Sequence, residues 1–125
     1  MRIMRYFITI IVCCISFNLL AQAKIKFENK VHKFPKTKEG VLLKHNYTFI
    51  NEGDEPLVIS NIKVTCPCTT FEYPKEPILP GESGVIKVSF DTNKKIKWQD
   101  RTLMIFTNAS KSPEEIRFKV MVDNK

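Results

Sequence analysis

Helical periodicity is missing from this sequence. No stretch of ten or more residues places apolar side chains at helical spacing, so a helical bundle or an alternating α/β fold is not what the pattern supports. Glycine is scarce, four in 125 residues, and no phosphate-cradling glycine loop can be assembled from it. Gly-x-Ser-x-Gly and His-Glu-x-x-His are also absent, which removes the nucleophile elbow and the zinc-protease helix. Without a convergent acid, base and nucleophile, the chain reads as a non-enzyme. Cysteine is sparse too: of four, Cys13 and Cys14 fall in an N-terminal apolar run, leaving only Cys66 and Cys68 downstream. That is one local pair and no disulfide framework. Tryptophan occurs once, at position 98.

What is present begins with an N-terminal address. Met1-Arg2-Ile3-Met4-Arg5 carries two arginines and no acid, residues 6–20 are almost wholly apolar, and Ala21-Gln22-Ala23 follows. A positive n-region, a short apolar h-region and an Ala-x-Ala end compose a secretory signal peptide. The run is shorter than the ~20 apolar residues a membrane span needs, and Asn18 interrupts it. Cleavage is expected after Ala23, giving a signal peptide over residues 1–23 and one domain over residues 24–125. Acylation at Cys13 or Cys14 ranks below simple export, because Val12 is not the small residue a lipoprotein site wants.

Cleavage removes two of the twenty basic residues and none of the thirteen acidic ones, so the charge falls from +7 to +5. The lysines are dispersed among acids along the whole chain, the pattern of a solvated surface. A secreted or periplasmic destination and this dispersion argue against nucleic acid, and no membrane span remains after cleavage. An envelope protein or an anionic surface polymer is the expected partner.

The rest reads as short strands. Residues 41–51 put Leu43, His45, Tyr47 and Phe49 on one face and Lys44, Asn46 and Thr48 on the other, the period-two signature of a half-buried strand. Asn51-Glu52-Gly53-Asp54-Glu55-Pro56 turns the chain, and residues 57–64 form the next run. Three prolines make residues 74–83 an irregular crossing. Residues 84–91 alternate cleanly, a polar loop is expected over residues 92–100, and residues 101–108 and 115–122 complete about seven strands. The expected fold is an all-β, immunoglobulin-like antiparallel sandwich, with Phe49, Ile59, Val88, Phe90, Ile105 and Phe118 in its core.

Several segments in order carry a resemblance: Val31-His32-Lys33-Phe34, Lys38-Glu39-Gly40, Tyr47-Thr48-Phe49-Ile50-Asn51, Gly53-Asp54-Glu55-Pro56-Leu57-Val58-Ile59, Thr65-Cys66-Pro67-Cys68-Thr69, Ile78-Leu79-Pro80-Gly81 and Thr107-Asn108. Together they resemble an exported bacterial family catalogued as a domain of unknown function, akin to ASH and major-sperm-protein-type sandwiches. The resemblance implies the fold and no activity. Pro67 and Pro35 stand where the family has glycine; proline fixes φ near −65° and removes an N–H, so the family's cysteine turn does not carry over unchanged.

Cys66 and Cys68 admit four readings: half-buried hydrophobes or a local bridge, a thiol-exchange pair, part of a soft-metal site, or a shaped binding edge. An i to i+2 bridge is geometrically accessible, and export favours oxidation. Thiol-exchange enzymes instead use Cys-x-x-Cys at a helix N-terminus, and neither feature is present. Two thiols are too few for structural zinc, and His32, His45, Met104 and Met121 stand at no ligand spacing to them. No metal or other cofactor is expected. His45 shares a face with Leu43 and Tyr47 and is expected to pack. Trp98 with Lys94, Lys95 and Lys97 forms the candidate surface contact, although a loop aromatic more commonly folds back onto the core. The preferred reading is an exported binding or structural module of the cell envelope; the alternative is a thiol-dependent redox or copper-handling protein.

Overall fold

The computed structural model describes residues 21–125; the expected signal segment before Ala21, with Cys13 and Cys14, lies outside the described residues. Nine strands and no helix are found in the described chain: β1 Ile25–Phe27, β2 Val31–Lys33, β3 Thr37–Lys38, β4 Leu42–Asn51, β5 Ile59–Val64, β6 Thr69–Glu72, β7 Ser83–Asp91, β8 Lys97–Thr107 and β9 Glu114–Asp123. They form a four-stranded sheet in the order β1-β4-β7-β6 and a five-stranded sheet in the order β2-β9-β8-β5, with β3 also on β9.

The long strands obey the alternation of their residues. On β4, Tyr47 and Phe49 are buried. On β7, Ile86, Val88 and Phe90 point into the sandwich, opposite Leu103 and Ile105 of β8 and Ile116, Phe118, Val120 and Val122 of β9. On β4, β7, β8 and β9 the buried side chains lie an even number of residues apart, so one face of each joins the core; on β5 a bulge sets buried Ile59 and Ile62 three apart. All six residues expected in the core are buried.

Three features depart from the sequence reading. The residues before β4 form three short strands, more than a count of about seven allows, because the chain crosses between sheets: β1 pairs with β4, whereas β2 and β3 pair with β9. Those last two pairings are parallel, so the sandwich is not purely antiparallel. The expected loop over residues 92–100 ends early, since β8 begins at Lys97 and places Trp98, Gln99 and Asp100 within its ladder to β9.

The two sheets are joined across the core by aromatic contacts and one polar tie. Phe90 of β7 packs against Phe118 of β9 with ring centroids 5.0 Å apart. The Tyr47 hydroxyl donates to the backbone carbonyl of Arg117 at 2.9 Å, satisfying a phenol that burial would otherwise leave dry. Close approach explains Gly84: a Cβ there would stand 2.4 Å from the ring of buried Phe49.

Candidate functional site

The cysteine pair is a bridge. Cys66 and Cys68 are disulfide-bonded with Cα atoms 5.2 Å apart, inside the range such bonds ordinarily span. The Thr69 N–H donates to the Cys66 carbonyl at 3.1 Å, making a four-residue turn with Pro67 at its second position. Proline's fixed φ suits that position, so the turn needs no glycine between the cysteines. The Asp91 N–H donates to the Cys68 carbonyl at 3.0 Å and ties the turn to β7. Both cysteines are half-buried and Pro67 is exposed.

A bridge closing so small a loop restrains little chain entropy. Replacing both cysteines by serine is therefore expected to leave a folded domain less stable by roughly 1–2 kcal/mol, read from a urea midpoint under oxidising conditions. Disulfide-exchange turnover or one-to-one Cu(I) binding by the wild type, absent from the double variant, would instead assign the pair to chemistry. Among the described residues no cluster of three or more His, Cys, Asp or Glu side chains is placed to hold a metal ion. The residues weighed as extra ligands are dispersed: His32 and His45 meet each other across the two sheets, while Met104 and Met121 lie on β8 and β9.

Two buried polar atoms near this end have no hydrogen-bond partner, Thr69 Oγ1 and Arg101 Nε. Both flank Phe90: Thr69 is its ladder partner on β6, and the Arg101 guanidinium lies 5.6 Å from its ring centroid. No sequence signal pointed to Arg101, since a cation on an inward position of β8 breaks the alternation expected there.

The histidines do pack, and with each other. His32 on β2 and His45 on β4 stack with centroids 3.6 Å apart and planes 8° from parallel. Phe34 and Tyr47 stand edge-on to the pair. Burial lowers both imidazoles below their ordinary pKa, and for His45 the neighbouring His32 adds to the effect. Above the unfolded value of 6.5 both states are neutral; as pH falls below it the unfolded chain takes up protons that the folded pair resists. Stability is thus expected to fall as the pH drops from about 7.5 through the unfolded value, and the loss should shrink in His45→Gln. Denaturant midpoints across that range check this, and a wild-type midpoint that held or rose on acidification would contradict it.

Trp98 does not fold back. Its side chain is 55% exposed on β8, where its ladder partner is Met121 of β9. It borders a shallow groove of about 350 Å³ lined by Lys33, Trp98, Gln99, Asp100 and Lys119. The Lys33 ammonium stands 5.4 Å from the centre of the indole. Asp100 is engaged by Arg117 through Nε at 2.6 Å and through a second, shorter bond, and that pairing holds its carboxyl below the usual range. Lys33 and Lys119 make no ion pair among the described residues, so the groove keeps an excess of positive charge.

The turn before Trp98 is backbone-strained. Lys94 and Lys97 have φ of 60° and 57°, the left-handed region, which costs a side-chain-bearing residue roughly 1–2 kcal/mol. Such outliers persist where the surroundings over-determine them; here the Asn124 side chain holds the Lys95 carbonyl and the Gln99 amide holds that of Ile96. Of the lysines expected beside Trp98, Lys94 and Lys95 belong to this turn and Lys97 opens β8. Lys33 and Lys119, the cations bordering the groove, come from β2 and β9 and were not legible as neighbours of Trp98.

Comparison with known proteins places this geometry in context. No curated protein matches the chain. Among solved structures, a protein of unknown function from Porphyromonas gingivalis W83 is similar at 18% identity with a TM-score of 0.71, over 84% of this chain and 50% of that one. The chain thus spans about half the length of that protein. The ASH/PapD-like domain 7 of human CEP192 is similar at 11% identity and TM-score 0.64, covering 83% of this chain and 88% of that domain. The sialic acid binding region of a Streptococcus sanguinis SK1 adhesin follows at 12% identity and TM-score 0.54, over 83% and 30%. These likenesses show the immunoglobulin-like sandwich alone. Residues 25–122 match the family described as Protein of unknown function (DUF1573), and the chain, from β1 to the end of β9, belongs to that family.

Proposed function

We propose that this protein is an exported, non-enzymatic binding module of the cell envelope that engages its partner through the outer face of the five-stranded sheet at Trp98. The observation that carries the reading is the exposed indole on a paired strand, bordered by Lys33 and Lys119. A large apolar ring left in water forgoes the gain of burial, and Trp98 stays exposed although the next residue of its strand, Gln99, is buried. Export rests on residues 1–23, and the Cys66–Cys68 bridge suits an oxidising compartment. Processing after Ala23 would leave the Lys24 amine beside Asn51, whose Oδ1 already accepts from the Lys24 nitrogen at 3.3 Å.

The test is co-sedimentation of the processed protein with an envelope preparation, run on the wild type and on Trp98→Ala. The variant should keep the wild-type circular dichroism and lose most of the sedimenting fraction. Equal sedimentation by both would remove Trp98 from the binding surface and end this reading.

A further inference from the structure

The Trp98 groove combines three properties that rarely converge on a surface used only for solubility. Its lining holds one aromatic ring and two lysines from different strands, and its single carboxylate is already paired with Arg117. Trp98 is the one large apolar side chain in the lining. The exposed aliphatic residues Val31, Val41, Leu42, Val58, Leu79 and Ile96 are not in that lining, so the groove lacks the cluster of alkyl groups that a bilayer or a hydrophobic peptide would reward.

We propose that the groove binds a carboxylated sugar, a uronate-type unit of an acidic polysaccharide. This rests on the reading of Trp98 as the binding surface and adds the class of ligand. A pyranose ring presents a face of C–H groups that lies flat on an indole. A uronate carries its carboxylate on the ring edge, to one side of that stack, within reach of Lys33 once its ammonium leaves the indole face it covers at 5.4 Å. Lys33 moves from the indole face to the carboxylate, exchanging a cation–π contact for a charge-assisted hydrogen bond. Lys119, the ladder partner of Lys33 on β9, supplies the second ammonium. Arg117 and Asp100 contribute by remaining paired: the bond fixes Asp100 and denies the groove a free negative charge that would repel the ligand.

Because the chain has a single tryptophan, fluorescence excited to the red of tyrosine absorption reads this groove. The probes are polygalacturonate, neutral dextran, poly-glutamate, and vesicles of anionic phospholipid. Polygalacturonate is expected to shift the emission to shorter wavelength, whereas dextran should not. Raising the salt from about 0.1 M to about 1 M should weaken binding at least about tenfold, as the screening length contracts to a few ångströms. Affinity electrophoresis through polygalacturonate then compares the wild type with Trp98→Ala, Lys33→Gln and Lys119→Gln. The first should abolish retardation and the other two should each weaken it several-fold, all with unchanged circular dichroism.

Retardation that survives Trp98→Ala overturns the proposal. So does a preference for poly-glutamate or vesicles over polygalacturonate, which would assign the groove to an acidic peptide or a lipid surface. If no probe binds while envelope sedimentation still depends on Trp98, the sugar assignment fails and the binding surface stands; if that dependence is also missing, both fail.

Discussion

Phe118→Ala lowers the unfolding free energy by about 3–5 kcal/mol, the cost of emptying an aromatic-sized volume from a close-packed core. Phe118 is fully buried on the central strand β9. Its ring meets Phe34 at 5.8 Å and Phe90 at 5.0 Å, so its loss uncouples the chain after β2 from β7 as well as opening a void. Phe90 sits on the β7 ladder and the Phe34 N–H donates to the Lys119 carbonyl at 2.9 Å, so neither can collapse inward without breaking a backbone hydrogen bond, which puts the expected value toward the upper end. Phe90→Ala should cost a similar amount, although the Arg101 guanidinium over its ring is then left over a cavity. Urea midpoints with unchanged slopes are the measurement. A loss under about 1 kcal/mol for either would mean that the ring does not occupy the core, since surface substitutions seldom cost more than ~0.5 kcal/mol.

Asn51→Ala is expected to be as damaging, by about 3–5 kcal/mol, through unmade hydrogen bonds rather than lost volume. The side chain is completely buried at the end of β4. Its Oδ1 accepts from the Gly53 N–H at 2.9 Å and from Lys24 at 3.3 Å, and its amide nitrogen donates to the carbonyls of Glu55 at 2.7 Å and Ile78 at 2.9 Å. One amide therefore fastens the entry to β1, the 51–56 turn and the proline-rich crossing to the end of the four-stranded sheet. Alanine takes this partner from the Gly53 and Lys24 N–H groups and the Glu55 carbonyl, while the Ile78 carbonyl keeps the Leu57 N–H at 2.8 Å; each group that water cannot reach costs roughly 1–3 kcal/mol. Asn51→Asp keeps the acceptor but sets a carboxylate against two carbonyl oxygens, so at neutral pH it should be no better tolerated. Thermal and urea unfolding of both variants decide the matter, and a loss below about 1 kcal/mol in Asn51→Ala would show that water replaces the amide without penalty.

Asn51 shows why part of this protein was legible and part was not. Its place in a run of turn formers marked the end of a strand, because turn chemistry is local. That it anchors two further segments depends on Ile78, 27 residues away, and nothing in the spacing announces that contact. The bridge at Cys66–Cys68 was one of several open readings for the same reason: two thiols one residue apart permit it, and only the turn closed by Thr69 and held by Asp91 shows the geometry adopted. Trp98 stood out as the single tryptophan, but a strand that starts at Lys97 decided that it faces water instead of the core.

The fold class, the inward face of β4, β7 and β9 and the six expected core residues all follow from residue order, because alternation along a strand is set by neighbours two positions apart and each buried face must be apolar. The assembled sheets were needed to see that the opening residues cross from one sheet to the other, that β2 and β3 run parallel to β9, that His32 stacks on His45, and that Lys33 and Lys119 border Trp98. Those are meetings between strands far apart in the chain, and they follow from the order in which strands pair, a property that no local pattern of residues encodes.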